Sequence, residues 1–317
     1  MLKWIVRLVG GLVAVVIVTA IGLMIAYSVW MADYRRALVT DSQVASTALG
    51  EIEYAVAGEG IPMLRIHGRP GGYDQTIAAP RTRPADYAGY QVIAISRPGY
   101  LRTPLSSGET PEQQADLYAA LLDKLEIKRV VVYGASGGGP SALAFAARHP
   151  TRTRELILVV PDLVQSMEAR ERETTPGAVM MFLQDFGFWV GGQLLGKTMA
   201  PMMMPDLDPN DPVAAAQLPI VATAFLASDL RVAGNANDVI QYRQLKVQTW
   251  PLESMQVPTL IMHGNADENA PYEGSVAVAK RIPNAKLVIF EGGDHLIIIT
   301  KAREIGEEIR QFTRGLQ

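Results

Sequence analysis

The stretch Val131-Val132-Tyr133-Gly134-Ala135-Ser136-Gly137-Gly138-Gly139-Pro140 constrains this chain most: an apolar run ends in Gly-x-Ser-x-Gly and leads straight into a helix-forming segment. A serine at the apex of a sharp strand-to-helix turn needs positive or crowded backbone angles, so only small residues fit two positions to either side. Such a turn exposes the Ser136 hydroxyl and aims the first amides of the next helix at an oxygen on which charge develops. Glycine-rich turns between a strand and a helix also cradle phosphates. That reading needs a lysine after the glycines or a spaced Gly-x-Gly-x-x-Gly, and this turn has neither.

A serine hydroxyl is a weak nucleophile at neutral pH, so a reactive Ser136 requires a base within reach and a carboxylate to orient that base. The chain has four histidines, His67, His149, His263 and His295. His295, in Glu291-Gly292-Gly293-Asp294-His295, follows a strand-like run and two glycines, which places it on a loop able to swing over a neighbouring turn. Asp267, in His263-Gly264-Asn265-Ala266-Asp267, lies just beyond another apolar run, with Asp162 and Glu268 as rivals. The order Ser136, Asp267, His295 is nucleophile, acid, base. The 28 residues from 267 to 295 leave room for one crossover helix and one strand, so both groups can reach the same sheet edge. His149 reads as a structural residue at a helix end, and His67 and His263, each before a glycine, as loop-orienting rather than metal-binding.

Acyl transfer also needs two amide donors for the oxyanion. The Gly137 amide is one. The run at 62–66 enters the glycine-rich loop His67-Gly68-Arg69-Pro70-Gly71-Gly72, whose backbone can approach a substrate oxygen, and the Arg69 amide is the second candidate.

Around these points the pattern is βαβ. Residues 44–57 alternate as an opening strand pair, and apolar strands recur at 63–66, 91–95, 129–133, 156–160, 258–262 and 287–290. Thr110-Pro111-Glu112-Gln113 is a helix start, with a threonine cap, proline in the first turn and glutamine at the capping-box position. This predicts an α/β chain with a mostly parallel central sheet and helices on both faces. The alternation lapses over residues 162–250, which predicts an inserted helical lid between core segments 44–161 and 251–317. Seven of thirteen methionines fall between 167 and 204, where only Asp185 and Lys197 are charged after Pro176. Flexible, polarizable methionine suits an adaptable apolar acyl pocket, and equally ordinary helix packing. A further possibility is that Phe186, Phe188 and Trp189 dip into a membrane surface.

These signals, in this order, resemble the α/β-hydrolase superfamily, in its ester-hydrolase-like branch with a lid: His67-Gly68-Arg69-Pro70-Gly71, then Ser96-Arg97-Pro98-Gly99-Tyr100, then the serine turn, then His263-Gly264-Asn265-Ala266-Asp267, then Gly293-Asp294-His295. The resemblance covers about residues 44–315. It implies an α/β-hydrolase fold and a serine hydrolase acting on esters of small to medium apolar acids through an acyl-enzyme. Ser136, Asp267 and His295 would be catalytic, the Arg69 and Gly137 amides would form the oxyanion hole, and no cofactor or metal would be needed. The superfamily also holds amidases, imino-type aminopeptidases and carbon–carbon bond hydrolases, and a non-catalytic ligand-binding role is the reading from another class. Family members often carry an acid, a glycine and a serine where this chain has Ser96, Leu101 and Thr103, departures expected at the pocket rim. Epoxide hydrolases and haloalkane dehalogenases of the fold carry aspartate where Ser136 stands.

The N-terminus differs in kind. Residues 8–30 hold no charge and are rich in Val, Ile and Leu, between Lys3 and Arg7 on one side and Asp33, Arg35 and Arg36 on the other. At 1.5 Å per residue this run reaches roughly 34 Å, enough for a bilayer core of about 30 Å. Trp4, Tyr27 and Trp30 sit near its ends, where interfacial anchors belong. The expected organisation is a single-pass anchor at 1–32 contacting membrane lipid and a linker at 33–43, with the catalytic domain on the non-cytoplasmic side. A cleaved signal peptide and a buried core helix are the alternatives. A net charge of −3 and the lack of a basic stripe argue against a nucleic-acid partner, and the absence of cysteine excludes thiolate catalysis.

Overall fold

The computed structural model describes residues 2–164, 177–192, 204, 207, 212, 213, 216, 223 and 225–314. The chain divides into two compact units, Met1–Asp41 and Ser42–Gln317. The first is one helix, α1, Leu2–Thr40, long and apolar enough to cross a membrane. It runs through most of the segment expected as a linker. No glycine or proline interrupts residues 23–40, Arg36 pairs with Asp33 at 2.8 Å one turn away, and Trp30 stacks on Tyr34 at 5.2 Å, so nothing local stops the helix.

The second unit is built on an eight-stranded sheet. Its strands are β1 (Gln43–Thr47), β2 (Gly50–Ala57), β3 (Ile61–Ile66), β4 (Tyr90–Ile95), β5 (Val130–Ala135), β6 (Thr153–Val159), β7 (Thr259–Gly264) and β8 (Ala285–Phe290). The spatial order is β1-β2-β4-β3-β5-β6-β7-β8. The hairpin β1–β2 and the β2–β4 pair are antiparallel, while β3 to β8 all run parallel. Strands covered on both faces read as continuous apolar runs, and here the period of two sorts them. After β3 comes α2 (Tyr73–Thr82), and Leu64, Ile66, Val132, Leu158 and Ile261 face a core shared with α3 (Pro111–Lys124), α4 (Gly139–Arg148) and α7 (Tyr272–Arg281). Met63, Val131, Tyr133, Val159 and Met262 face the other way, toward the short α8 (Ile297–Thr300) and α9 (Ala302–Arg314). Thr110 caps α3 through the full capping box, with Gln113 reaching back to the cap amide.

Between β6 and β7 the described residues include α5 (Ala178–Val190) and α6 (Val232–Gln244), both helical as expected of the insertion. Met167, Met199, Met202, Met203 and Lys197 lie outside the described residues. On α5 the membrane-dipping trio needs correction. Trp189 is buried and Phe188 stacks on Phe225 at 4.7 Å, so those rings pack inward. The outward residues are Val179, Met180, Phe182 and Leu183.

Candidate active site

β5 ends at Ala135, and Ser136 turns the chain with a φ of 48° before a 3-10 turn, Ser136–Gly138, continues into α4. The left-handed region is costly for a residue with a Cβ, so the turn persists because its surroundings hold it. Those surroundings explain the two glycines of Gly-x-Ser-x-Gly. A Cβ on Gly134 would stand 2.5 Å from that of Ala142, and one on Gly138 2.5 Å from the His67 carbonyl oxygen, so α4 and the β3 loop could not close on the serine.

Above this turn the three sequence-selected side chains meet. Ser136 Oγ lies 2.9 Å from His295 Nε2, and His295 Nδ1 lies 2.7 Å from Asp267 Oδ2. The loops carrying acid and histidine are stitched together: Ala266 N donates to Gly293 O at 2.9 Å, and Gly292 N to Asn265 Oδ1 at 2.7 Å. Asp267 Oδ1 accepts the amides of Asn269 and Ala270, each at 2.9 Å. Its Oδ2 also lies 3.0 Å from His263 Nε2. Because that nitrogen stands 2.9 Å from the Ala270 carbonyl as well, it must carry a proton, and the Nδ1 of a neutral ring would accept from Ser275 Oγ at 2.7 Å. Burial works against ionisation of Asp267, but the hydrogen bonds from His263 and His295 outweigh it and hold the carboxyl well below its ordinary range. Sequence reasoning cast His263 only as loop-orienting and missed its bond to the acid. The spacing of four from 263 to 267 was the available signal.

The alpha/beta hydrolase fold family model matches residues 61–302. This chain is an α/β hydrolase. The uncharacterized hydrolase YcgS of Bacillus subtilis is 38% identical over 109 residues, which is 34% of this chain and 37% of that one. The bifunctional esterase/perhydrolase DCH of Acinetobacter calcoaceticus is 28% identical over 233 residues, covering 72% of this chain and 83% of that one. Among solved structures, an alpha/beta hydrolase fold protein from Nakamurella multipartita aligns with a TM-score of 0.73 at 29% identity, over 86% of this chain and 98% of that one.

In this α/β hydrolase the loop after β3 brings the Arg69 amide beside the serine turn. A Cβ on Gly137 would lie 3.5 Å from Arg69 N and would collide with Tyr242 Oη, so a side chain at 137 would have to displace that tyrosine. His67 holds that loop from below. Its Nε2 accepts from Arg97 N at 2.9 Å and its Nδ1 donates to Gly68 O at 2.7 Å. Burial, with the Arg97 charge nearby, pushes its pKa well down, so the ring stays neutral with its proton on Nδ1.

Ser96 and Thr103 are not at the pocket rim as expected; both are buried in the core. Ser96 Oγ donates to Glu53 Oε2 at 2.8 Å, and Arg102 Nε to Glu53 Oε1 at 2.7 Å. An acidic group does serve this spot, but it arrives from β2. Leu101 adopts a φ of 51°, and its amide donates to Leu230 O at 2.8 Å. The adjoining Arg97 is buried and pairs with Asp238 of α6 through Nη1–Oδ1 at 2.9 Å and Nη2–Oδ2, while Tyr100 Oη donates to Asp238 Oδ2 at 2.6 Å. This cluster ties α6 to the core. Nothing local in the sequence pairs residues 141 positions apart.

A cavity of about 340 Å³ opens from Ser136, Arg69 and His295 and extends between the β3–β5 face and α9. Among the described residues no group of three His, Asp or Glu could hold a metal.

Proposed function

We propose that this α/β hydrolase cleaves carboxylic esters of small to medium apolar acids by a serine acyl-enzyme mechanism, with α1 as a single-pass anchor and the catalytic unit on the non-cytoplasmic side. The observation that carries the chemistry is the hydrogen-bonded chain from Ser136 Oγ through His295 to Asp267. Ser136 Oγ attacks the ester carbonyl carbon as its proton passes to His295 Nε2, and the carbonyl π pair moves onto oxygen. The Gly137 and Arg69 amides stabilise that oxyanion. Collapse breaks the bond to the alkoxy oxygen, which leaves as alcohol with the proton from His295. Water then attacks the acyl-enzyme, giving one proton to His295; release of the acid returns that proton to Ser136. Asp267 keeps the imidazole proton on Nδ1, leaving Nε2 free to accept.

The esterase relative and the apolar part of the cavity lining, with Met63, Ala79, Ile298 and Ile309, support an ester with an apolar acyl chain. The test is hydrolysis of 4-nitrophenyl esters graded in acyl length, with matching amides, by the full chain and by Ser136→Ala. Ester cleavage exceeding amide cleavage and lost in Ser136→Ala is expected; equal rates in both proteins would sink the reading. For the anchor, removal of residues 1–41 should move the protein from the membrane fraction to the soluble fraction, and persistence at the membrane would contradict α1 as its tether.

A further inference from the structure

The cavity beside Ser136 has a charged end that the mechanism does not use. Its lining includes five arginines, at 65, 69, 83, 303 and 310, against a single carboxylate, Asp86, in a chain whose net charge is negative. Arg65 is the anomaly. It occupies a core-facing position of β3, on the same face as Met63, where its strand neighbours present apolar or aromatic side chains. Its guanidinium lies over the Tyr133 ring at 4.4 Å and the Tyr87 ring at 5.3 Å, and its Nη1 donates to Tyr87 Oη at 2.6 Å. Its Nε is buried without a hydrogen-bond partner among the described residues, and no carboxylate among them pairs with it. Aromatic faces offset part of the cost of burying a cation, but a guanidinium recovers most by a two-pronged bond to a carboxylate. Arg83 supports the same reading. It meets Asp86 at 3.1 Å, yet its buried Nε also lacks a hydrogen-bond partner among the described residues.

The position of Arg65 fixes what could reach it. Arg65 pairs in register with Tyr133, three residues before Ser136 on β5, which at about 3.3 Å per residue is roughly 10 Å of strand from the serine. The cavity wall they share is apolar, with Ala79, Ile305 and Ile309, and Met63, in register with Val131, lies beyond Arg65 from the serine. Arg310, also on the lining, folds back so that a Cβ on Gly306 would stand 3.3 Å from its Nη1.

We infer that the acyl group held here ends in a carboxylate: the substrate is a half-ester of a dicarboxylic acid, its ester carbonyl at Ser136, its apolar spacer along the β3–α9 wall and its free acid on Arg65. The inference rests on the proposed ester hydrolysis and narrows it from apolar acids to apolar chains with an anionic far end. Arg65 would then be a specificity residue that touches substrate away from the reacting atoms.

The experiment compares 4-nitrophenyl half-esters of dicarboxylic acids, graded in spacer length, with neutral esters of the same length, using the full chain in detergent. The expected result is a ratio of kcat/KM, acid-ended over neutral, of about ten or more at one spacer length, falling toward one in Arg65→Gln and partly retained in Arg65→Lys. A ratio at or below one in the unaltered protein, or an undiminished ratio in Arg65→Gln, overturns the inference. Should Arg65→Gln not fold, adipate decides. Competitive inhibition of neutral-ester turnover by adipate, weakening with salt, supports the site, and no inhibition overturns it. Neutral-ester hydrolysis without acid preference removes only this inference. If no ester is cleaved at all, the esterase reading falls separately, and calorimetry of adipate with Ser136→Ala, with and without Arg65→Gln, still answers the binding question: Arg65-dependent heat supports it and none overturns it.

Discussion

Replacing Asp267 by asparagine isolates what the carboxylate does, because four donors converge on it. Oδ1 accepts two backbone amides, from Asn269 and Ala270, and Oδ2 faces His295 Nδ1 and His263 Nε2. A carboxamide has one oxygen and one NH2. Turned to keep its oxygen on the two amides, it presents NH2 to His295, which must then accept at Nδ1 and carry its proton on Nε2, the wrong tautomer to receive the Ser136 proton. The flipped carboxamide would set NH2 against two amide hydrogens, forfeiting two buried hydrogen bonds at about 1–3 kcal/mol for each donor left unsatisfied. The first arrangement therefore wins, and activity rather than folding takes the loss. A wrong-tautomer histidine in this chemistry costs about 10⁴ in kcat, or roughly 5.5 kcal/mol of barrier. His263 Nε2–H also meets the NH2, which adds about 1–3 kcal/mol of destabilisation. The assay is kcat on a short-chain 4-nitrophenyl ester, with thermal unfolding alongside. An Asp267→Asn protein that folds and retains activity within about tenfold of the unaltered chain would refute the tautomer argument.

Two other outcomes follow from the buried charges. Asp238→Ala leaves Arg97 buried and unpaired, which should cost about 3–5 kcal/mol in urea unfolding; a loss under 1 kcal/mol would show that α6 does not depend on the pair. The Asp267 carboxyl is held below its unfolded value of about 3.9, so the folded state binds fewer protons there. Its contribution is fully present above about pH 4 and is lost as pH falls through the folded value. Stability should fall more steeply below pH 4 in the unaltered protein than in Asp267→Asn, and parallel curves would count against the assigned shift.

The parts of this molecule that were legible in the sequence are those set by short-range chemistry. The strands around Met63, Val92, Val132, Ile157, Ile261 and Val288 announce themselves by apolar runs between turn residues, and the Thr110 cap by its own four-residue motif. The serine turn was legible because its glycines answer a local demand, and the structure supplies the atoms that make it: Ala142 Cβ and His67 O. His295 and Asp267 could be chosen because histidines are few and each of the two lies on the loop that follows a strand. What was hidden depends on atoms distant in sequence. Ser96 gave no sign that its hydroxyl donates a hydrogen bond to Glu53, nor Arg97 that its partner is Asp238. Arg65 sits in an apolar strand-like run, and nothing near it in sequence shows that Tyr133 and Tyr87 lie against its guanidinium.

The central claim is that Ser136 is a nucleophile activated by His295. A fluorophosphonate probe reacts covalently with such a serine, so intact-mass measurement of the folded protein tests it directly. One adduct, mapped to Ser136 and absent from both Ser136→Ala and His295→Ala, is the predicted result. Folded protein that takes no adduct, or labels equally after Ser136→Ala, would contradict the account.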